Sequence, residues 1–210
     1  MSRVTRVRGG ALQLGSNVVE LLLPQRRPML MVDRVEAFDA GPPATLHASR
    51  HISANEIFFE GHFPGMHLWP GCLTIEGMGQ TSALLIAVLA VRDGLAAAGE
   101  DPDRGLDELR NLDLGFRMHP GYRADDAARF LAAFRARDDG SVAAGAVVDV
   151  KLVAPVFAGQ RLDYRATLAR NLGDMMRFDV EASIGDKTVA AGTMTGVRMR
   201  RPMPPPPARS

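Results

Sequence analysis

The sequence predicts an α+β fold in which an antiparallel sheet wraps around one central helix. Residues 72–91 form an apolar stretch that is too long for a strand, so the simplest interpretation is a buried helix. Residues 148–199 alternate between apolar and polar side chains, which is typical of strands with one buried and one solvated face. Two shorter strand patterns precede the helix. The predicted order is therefore two strands, the helix and an antiparallel run of strands.

The chain before the central helix carries a signal for each of its elements. Pro24 ends a short helix candidate, because proline cannot continue a helix. A Gly-Pro-Pro sequence at 41–43 marks a turn between two strands. The predicted elements are a helix at 17–23, strands at 30–38 and 44–52, and a loop at 55–71 that is rich in Phe, Pro and Gly.

The second half of the chain contains four predicted strands and one segment that does not share their rhythm. The strands lie at 148–152, 161–168, 176–184 and 188–199. Residues 97–141 contain ten acidic residues and seven arginines, a net charge of −3, with several Gly and Pro interruptions. We interpret this segment as an insertion between the central helix and the next strand, with a helical pattern at 124–137.

The predicted domain organisation is a single domain at 17–200, including the insertion at 97–141, with a tail at each end. Residues 1–16 contain three arginines and no acidic residue, which indicates a loose basic arm. Residues 201–210 contain five of the chain's 14 prolines, and such a run can neither join a sheet nor continue a helix. We predict a disordered tail there.

Composition excludes several functional classes. The 25 basic and 24 acidic residues give a formal net charge of +1, which removes an overall electrostatic argument for nucleic-acid binding. The single cysteine, Cys72, cannot form an intramolecular disulfide, so we expect a cytoplasmic protein. The longest apolar run, residues 83–91, is nine residues long, whereas a membrane-spanning helix needs roughly 20. We therefore expect no membrane span.

Glu76 is an isolated charge in the predicted central helix. It is the only Asp, Glu, Lys or Arg among the 29 residues between His62 and Arg92. An ionised carboxylate is costly to bury, and burial favours the protonated form that a general acid requires. Gln80 lies four residues later on the same helical face, where it can hydrogen-bond the carboxyl group. The alternative interpretation is a polar pair on a solvated helix face.

His62 and the start of the helix form a second candidate group. His62 lies in a Gly-His-Phe-Pro-Gly loop, and a structural or solvated histidine is the alternative to a catalytic one. Pro70 and Gly71 begin the helix, where free backbone N–H groups and the positive end of the helix dipole form a candidate oxyanion site. Cys72 is a candidate nucleophile at this helix terminus, although a small buried residue is the favoured interpretation.

Other site classes have little support in the sequence. It contains no G-x-S-x-G elbow, no P-loop and no G-x-G-x-x-G after a strand. His47 and His51 share one face of a predicted strand, but no neighbouring cysteine or carboxylate pattern completes a metal site. We predict no metal and no redox cofactor.

Three motifs together resemble the bacterial 3-hydroxyacyl-[acyl-carrier-protein] dehydratases of fatty acid synthesis. Their order, spacing and co-occurrence make the resemblance specific, and it extends over residues 17–200 apart from the insertion. The motifs are Leu-Pro-Gln-Arg-Arg-Pro-Met-Leu-Met-Val-Asp-Arg-Val at 23–35, Asn-Glu-Ile-Phe-Phe-Glu-Gly-His-Phe-Pro-Gly at 55–65 and Pro-Gly-Cys-Leu-Thr-Ile-Glu-Gly-Met-Gly-Gln at 70–80.

The resemblance implies a hot-dog fold and a catalytic pair. His62 matches the family's catalytic histidine and Glu76 its catalytic carboxylate, and the two come together across a dimer interface. The backbone N–H of Gly71 would polarise the thioester carbonyl, and Gln80 matches a position that supports the acid. The further substrate-binding candidates are Cys72, Phe63, Pro64 and Gly65.

The implied reaction is dehydration of 3-hydroxyacyl thioesters to trans-2-enoyl thioesters, with the substrate carried on the phosphopantetheine of acyl carrier protein. The implied assembly is a homodimer with shared active sites or a trimer of dimers. We expect electrostatic docking of the acidic carrier protein on the body of the domain, with four candidate arginines: Arg161, Arg165, Arg198 and Arg200. The alternatives are a dehydratase that also isomerises the double bond, a hot-dog acyl thioesterase and a non-catalytic acyl-binding subunit.

Three departures from the family pattern bear on these alternatives. The usual His-Arg-Tyr-Pro is Gln-Arg-Arg-Pro at 25–28, and the usual Glu-Ala-Met-Ala-Gln is Glu-Gly-Met-Gly-Gln at 76–80. Gly71-Cys72 resembles the isomerising branch of the family. That branch usually carries Asp where this chain has Glu76, so the two indications conflict.

Overall fold

The computed structural model describes residues 11–119 and 141–200, and the described residues form seven strands and three α-helices. The strands are β1 (Ala11–Leu14), β2 (Arg34–Asp39), β3 (Thr45–His51), β4 (Ser141–Leu152), β5 (Arg161–Asn171), β6 (Met175–Ile184) and β7 (Lys187–Arg200). The helices are α1 (Ser16–Leu22), α2 (Gly71–Ala97) and α3 (Arg104–Met118), with a short 3₁₀ helix at Ile57–Glu60. The strands form one antiparallel sheet in the order β1-β2-β3-β5-β6-β7-β4.

Helix α2 forms the core of the fold against the inner face of the sheet. Met78, Leu84, Leu85 and Val88 are fully buried, and the helix packs mainly on β3, β5 and β6. By length and composition α2 would be able to cross a membrane, but 61% of its most apolar window is buried inside the protein, which is the position of a core helix. The predicted buried helix at 72–91 is therefore confirmed, and it extends to Ala97.

Gly77 lies where α2 crosses β5. A Cβ atom at this position would overlap the hydroxyl group of Tyr164, so glycine permits a close approach of the helix to the sheet. Tyr164 is 1% exposed. Burial raises the pKa of its hydroxyl above the ordinary value, so this group stays neutral.

The expected loose arm at 1–16 is wrong for the residues that the structure describes. Strand β1 pairs with β2 in antiparallel fashion, and its Leu12 and Leu14 side chains are buried. The backbone N–H of Gly15 donates to the Asp113 carboxylate over 2.7 Å. A strand of four residues is too short to give a clear alternation in sequence, which is why the pattern missed it. Residues 1–10 and 201–210 lie outside the described residues.

The segment at 97–141 is joined to the body of the domain more closely than an insertion suggests. Helix α3 buries Leu109 and Leu112 and contacts α1, α2 and β1. Sequence analysis did not predict this helix, although its apolar residues recur at helical spacing. Strand β4 already begins at Ser141. The predicted helix at 124–137 lies outside the described residues.

Strand β4 departs from the prediction because its apolar face is not covered. Val148 and Leu152 lie opposite Met194 and Ala190 of β7, which are buried. Opposite residues in a ladder point to the same side of the sheet, yet Val148 is 53% and Leu152 52% exposed. β4 is also the last strand of the sheet. One edge of β4 is therefore left without a neighbour in the described part of this chain, and two of its apolar side chains remain half exposed.

The first long strand is also shorter than expected. We predicted a strand at 30–38, but β2 begins at Arg34. Backbone groups of residues 29–31 are used instead by two side chains, because they hydrogen-bond Gln80 and Arg50. Chain segments whose backbone binds side chains cannot also take part in a strand ladder.

Candidate active site

A cavity of ≈ 340 Å³ lies beside the N-terminal end of α2. Its polar side chains are His62 and Thr74, and most of the remaining wall is apolar. The lining residues are His62, Leu68, Trp69, Gly71, Thr74, residues 152–156 and Val189. The predicted candidates His62 and Gly71 are thus brought together by the fold.

His62 is half-buried in the loop that connects β3 to α2. Its ring nitrogen Nδ1 lies 2.9 Å from the backbone oxygen of Leu68. Because a carbonyl oxygen only accepts hydrogen bonds, Nδ1 must carry the proton of a neutral ring, which leaves Nε2 with a free lone pair. The ring also stacks on Phe63, with centroids 4.3 Å apart. This contact and the Leu68 hydrogen bond fix the orientation of a potential base.

The predicted residues Phe63, Pro64 and Gly65 form a tight turn next to His62. The backbone groups of Phe63 and Met66 bond each other in both directions, at 2.9 Å each. Gly65 has φ = +80°, a conformation that favours glycine. All three predicted residues are exposed and none of them lines the cavity. The turn therefore helps to hold His62 in place, but its three residues do not form part of the cavity wall.

The N-terminal turn of α2 lies in the cavity wall. Pro70 precedes the helix and provides no side-chain cap, and the N–H of Gly71 has no acceptor within the helix because it is the first helical residue. A Cβ atom at position 71 would overlap the Cδ1 methyl group of Leu152. Leu152 therefore covers this turn, and the backbone N–H groups lie at the positive end of a long helix.

Glu76 and Gln80 are held together further along α2. Gln80 is 1% exposed, and its Nε2 donates to Glu76 Oε1 over 2.8 Å. The same amide group donates to the backbone oxygen of Met29 over 2.6 Å and accepts from the N–H of Met31 over 2.8 Å. The hydrogen bond that the spacing of Glu76 and Gln80 predicts is present. The amide of Gln80 is fixed by backbone on its other side, so it can orient the carboxyl group.

The chain places His62 and Glu76 on different sides of α2. Gly71 and Thr74 face the cavity, and Glu76 follows Thr74 by two residues, which rotates it about 200° around the helix axis. Consistent with this, Glu76 is not among the residues that line the cavity of His62. One chain therefore presents the histidine in a cavity and the carboxyl group on the opposite, half-buried helix face.

Cys72 is exposed and lies outside the cavity wall. The interpretation of Cys72 as a small buried residue is therefore wrong. Within residues 11–119 and 141–200, no three His, Cys, Asp or Glu side chains are grouped as they would be to hold a metal ion.

Sequence reasoning missed most of the cavity wall and the groups beneath it. Trp69 and Thr74 line the cavity next to predicted residues, whereas the segment at 152–156 arrives from a distant part of the chain. Arg50 lies beneath the loop and pairs with Asp33 and Glu56. Asp33 lies in the motif at 23–35 and Glu56 in the motif at 55–65. Arg50, in the strand between the two motifs, was the residue from which these ion pairs could have been predicted.

Comparison with known proteins identifies the family. Residues 23–108, which contain all three motifs, match the model of the FabA-like domain. The chain is 30% identical over 179 residues to the 3-hydroxyacyl-[acyl-carrier-protein] dehydratase FabZ of Polynucleobacter necessarius subsp. necessarius, covering 85% of this chain and 89% of that protein. The chain belongs to the 3-hydroxyacyl-[acyl-carrier-protein] dehydratase family.

Further similarities agree with this family. The dehydratase FabZ of Campylobacter fetus subsp. fetus is 31% identical over 176 residues, covering 83% of this chain and 91% of that protein. Among solved structures, the dehydratase heterocomplex ApeI:P from Xenorhabdus doucetiae matches with a TM-score of 0.54 and 15% identity, over 87% of this chain and 91% of that chain. The sheet around α2 is a hot-dog fold, as predicted.

Proposed function

We propose that this dehydratase-family protein converts 3-hydroxyacyl thioesters on acyl carrier protein into trans-2-enoyl thioesters, in the cytoplasm and in fatty acid or related acyl-chain synthesis. One observation carries the proposal most directly. His62, whose Nδ1 is engaged by the Leu68 carbonyl, lines a mostly apolar cavity together with Gly71, the first residue of α2. A base and an oxyanion donor in one mostly apolar site suit removal of a proton α to a thioester.

His62 and Gly71 account for the first half of the reaction. The thioester acidifies the α-proton, which moves to His62 Nε2 while the N–H of Gly71 stabilises the negative charge on the thioester oxygen. The hydrogen bond from Nδ1 to Leu68 stabilises the imidazolium that forms. The mostly apolar wall provides few polar groups that compete for these interactions.

Glu76 accounts for the second half of the reaction. Its carboxyl proton passes to the 3-hydroxyl group, the carbon–oxygen bond breaks, and water leaves as the double bond forms. Regeneration moves one proton from His62 to Glu76 through the released water. Because Glu76 lies on the far side of α2 from its own His62, we assign this role to Glu76 of a second subunit.

Two surfaces support a homodimer with shared sites. Among the described residues, β4 has an unpaired edge, and its Val148 and Leu152 side chains are half exposed. An exposed apolar edge strand is a template for pairing with another chain. The face of α2 that carries Glu76 also carries half-buried Gly79 and Ala83. A second copy placed against β4 and this face would cover both surfaces and bring its carboxyl group to the cavity.

Two of the four arginines expected to dock acyl carrier protein already pair with acidic residues of this chain. Arg161 pairs with Glu36 and Asp163 at 3.0 and 2.8 Å, and Arg165 pairs with Glu181. The side chains of Arg198 and Arg200 lie outside the described residues. Lys151 and Lys187 flank the cavity segments at 152–156 and Val189. In the described parts of the chain, neither lysine has an acidic group within ion-pair distance. We propose that these lysines meet the acidic carrier.

Turnover of a crotonyl thioester and of its 3-hydroxy counterpart tests the function, with the product identified by mass spectrometry. We expect interconversion by the wild-type protein and a loss of about 10²–10⁴-fold in His62→Ala and in Glu76→Gln. His67→Ala is the matched control, because His67 is an exposed histidine of the same loop; its rate should stay within about twofold of wild type. Full activity in either site variant contradicts the assignment.

Two other outcomes would identify the alternatives. Release of free acid without an enoyl product would indicate a thioesterase. Retention of acyl carrier protein on a column by a protein without turnover would indicate an acyl-binding subunit.

A further inference from the structure

Arg50 is a buried cation that the proposed reaction does not use. It lies near the end of β3 and is 9% exposed, and it is the only cation among the buried polar residues of the described chain. Burial of an unpaired guanidinium group would cost several kcal/mol, so the surrounding groups must neutralise and bind it.

The partners of Arg50 come from chain segments on both sides of the His62 loop. Nη2 donates to Glu56 Oε1 over 2.6 Å, and Glu56 immediately precedes the 3₁₀ helix that leads to His62. On the other side of the loop, the guanidinium lies over the Trp69 ring, 5.4 Å from its centroid. Trp69 lines the cavity directly before Pro70 and α2. Arg50 therefore contacts the entry and the exit of the loop that carries the proposed base.

The remaining contacts of Arg50 lead towards Glu76. Nη1 donates to the backbone oxygen of Leu30 over 2.8 Å and lies 3.3 Å from Asp33 Oδ1. The neighbours of Leu30 on each side, Met29 and Met31, provide the backbone groups that hold Gln80. Gln80 in turn binds Glu76. Two sets of hydrogen bonds, joined by the backbone of residues 29–31, thus connect the loop of His62 to the carboxyl group on the other side of α2.

We propose that Arg50 is a positioning residue that fixes the His62 loop and the segment at 29–31 relative to each other. Planarity suits arginine to this task, since one guanidinium can bind a carboxylate, a carbonyl oxygen and an aromatic face at once. Lysine, with a single ammonium group, can satisfy only part of this set. The kcat readout of this inference rests on the proposed function. The fluorescence of Trp69 does not, because it is measured without turnover.

The experiment compares Arg50→Met and Arg50→Lys with wild type. Because a displacement of about 1 Å can cost on the order of 100-fold in rate, we expect kcat of Arg50→Met to fall by about 10- to 100-fold with little change in KM. Arg50→Lys should recover part of kcat. Trp69 is the chain's only tryptophan, so its fluorescence reports the loop exit, and acrylamide quenching should increase in Arg50→Met.

Arg92→Met is the matched control. Arg92 also pairs with an acid, Asp103, and lies over an aromatic ring, that of Phe38, at 5.8 Å. It lies sixteen residues beyond Glu76 on the same helix, about 24 Å away at 1.5 Å per residue. Loss of stability alone would lower the melting temperature of both Arg50→Met and Arg92→Met. It would leave kcat per folded molecule unchanged in both. Loss of positioning is indicated by a fall in kcat per folded molecule together with increased Trp69 quenching in the Arg50 variants, with neither change in Arg92→Met.

The outcomes separate this inference from the proposed function. A folded Arg50→Met protein with unchanged kcat and unchanged Trp69 quenching would overturn the inference. If Arg50→Met does not fold, Glu56→Gln replaces it in the test, because this change removes the charge that Arg50 binds without changing side-chain size. Wild-type kcat and wild-type Trp69 quenching in Glu56→Gln would then overturn the inference. If the wild-type protein has no dehydratase activity, the proposed function fails, and the quenching comparison still confirms or rejects the positioning role.

Discussion

His62 lies in a loop and Glu76 on a helix, and the contacts that hold the two side chains differ in kind. His62 is oriented by one backbone carbonyl and by stacking on the next aromatic ring, and it faces a cavity. Glu76 is oriented by the amide of Gln80, which is itself fixed by the backbone of Met29 and Met31. The base has space for a substrate beside it, whereas the carboxyl group lies away from that space.

This difference supports the proposal that each subunit carries two half-sites. The half-site of His62 contains the cavity, the Gly71 N–H and the cover provided by Leu152. The half-site of Glu76 lies on the half-buried helix face that also carries Gln80 as its hydrogen-bond partner. Neither half-site suffices for both proton transfers, so the geometry favours an arrangement in which two copies exchange half-sites.

Mixing two inactive variants gives the largest expected effect. His62→Ala and Glu76→Gln should each lose about 10²–10⁴-fold in rate. A heterodimer of the two has one site with both residues intact, so subunit exchange should restore up to about half of the wild-type sites per heterodimer. Activity is measured before and after exchange, with heterodimers isolated through two affinity tags. Confirmed heterodimers without recovered activity would show that both half-sites must act within one subunit.

Leu109→Ala tests whether the α3 layer is separate from both half-sites. Leu109 is fully buried, so its truncation should lower the free energy of unfolding by about 2–5 kcal/mol. Because α3 contacts α1, β1 and α2 away from the cavity wall, kcat per folded molecule should be unchanged. Chemical denaturation and kinetics on the same samples measure the two effects. Leu114→Ala is the control on the same helix, since Leu114 is 55% exposed; a fall in kcat for Leu109→Ala would link α3 to the site.

Gln80→Leu should weaken only the half-site of Glu76. The change removes the hydrogen bond to the carboxyl group and leaves the N–H of Met31 unpaired, so kcat should fall by about tenfold and stability by about 1–3 kcal/mol. Ser82→Ala is the control, because its hydroxyl bonds only the backbone oxygen of Met78 on the same helix. In the exchange experiment, a heterodimer of Gln80→Leu and Glu76→Gln has one working site, which uses the Glu76 of the Gln80→Leu subunit. The rate of that site should stay at the reduced level of the Gln80→Leu variant. Full restoration would mean that Gln80 does not support the carboxyl group.

The motifs and the apolar pattern predicted α2, most of the sheet and the hydrogen bond between Gln80 and Glu76. These features are local, because they depend on helical spacing or on strand alternation within one segment. The short strand β1 and the helix α3 were missed because each is stabilised by the other, through Gly15 and Asp113. Such long-range pairing is not visible in either segment alone, and the helical spacing of the apolar residues in α3 was the signal that sequence analysis overlooked.

Sequence analysis predicted individual residues of the candidate site but did not predict the cavity wall that surrounds them. Gly71 and His62 were found because they lie in one continuous motif region. The wall at 152–156 was not found, since only the register of β4 on β7 brings it over the start of α2. Cys72 was expected to be buried because it begins an apolar run, but it lies on the exposed side of the first helical turn.

The smallest expected effect concerns carrier docking, which we propose at the half-site of His62. Lys151 and Lys187 flank its cavity, so Lys151→Ala and Lys187→Ala should each raise KM for a substrate on acyl carrier protein by about two- to fivefold, because exposed charge pairs contribute modestly. The effect should disappear at high salt, which screens such pairs. KM for the same acyl group on free pantetheine should not change, since that substrate has no acidic protein surface. Arg177→Ala is the control at the far end of β6; if it raises KM as much as the lysine variants do, docking is not localised at the cavity and the carrier recognises the sheet as a whole.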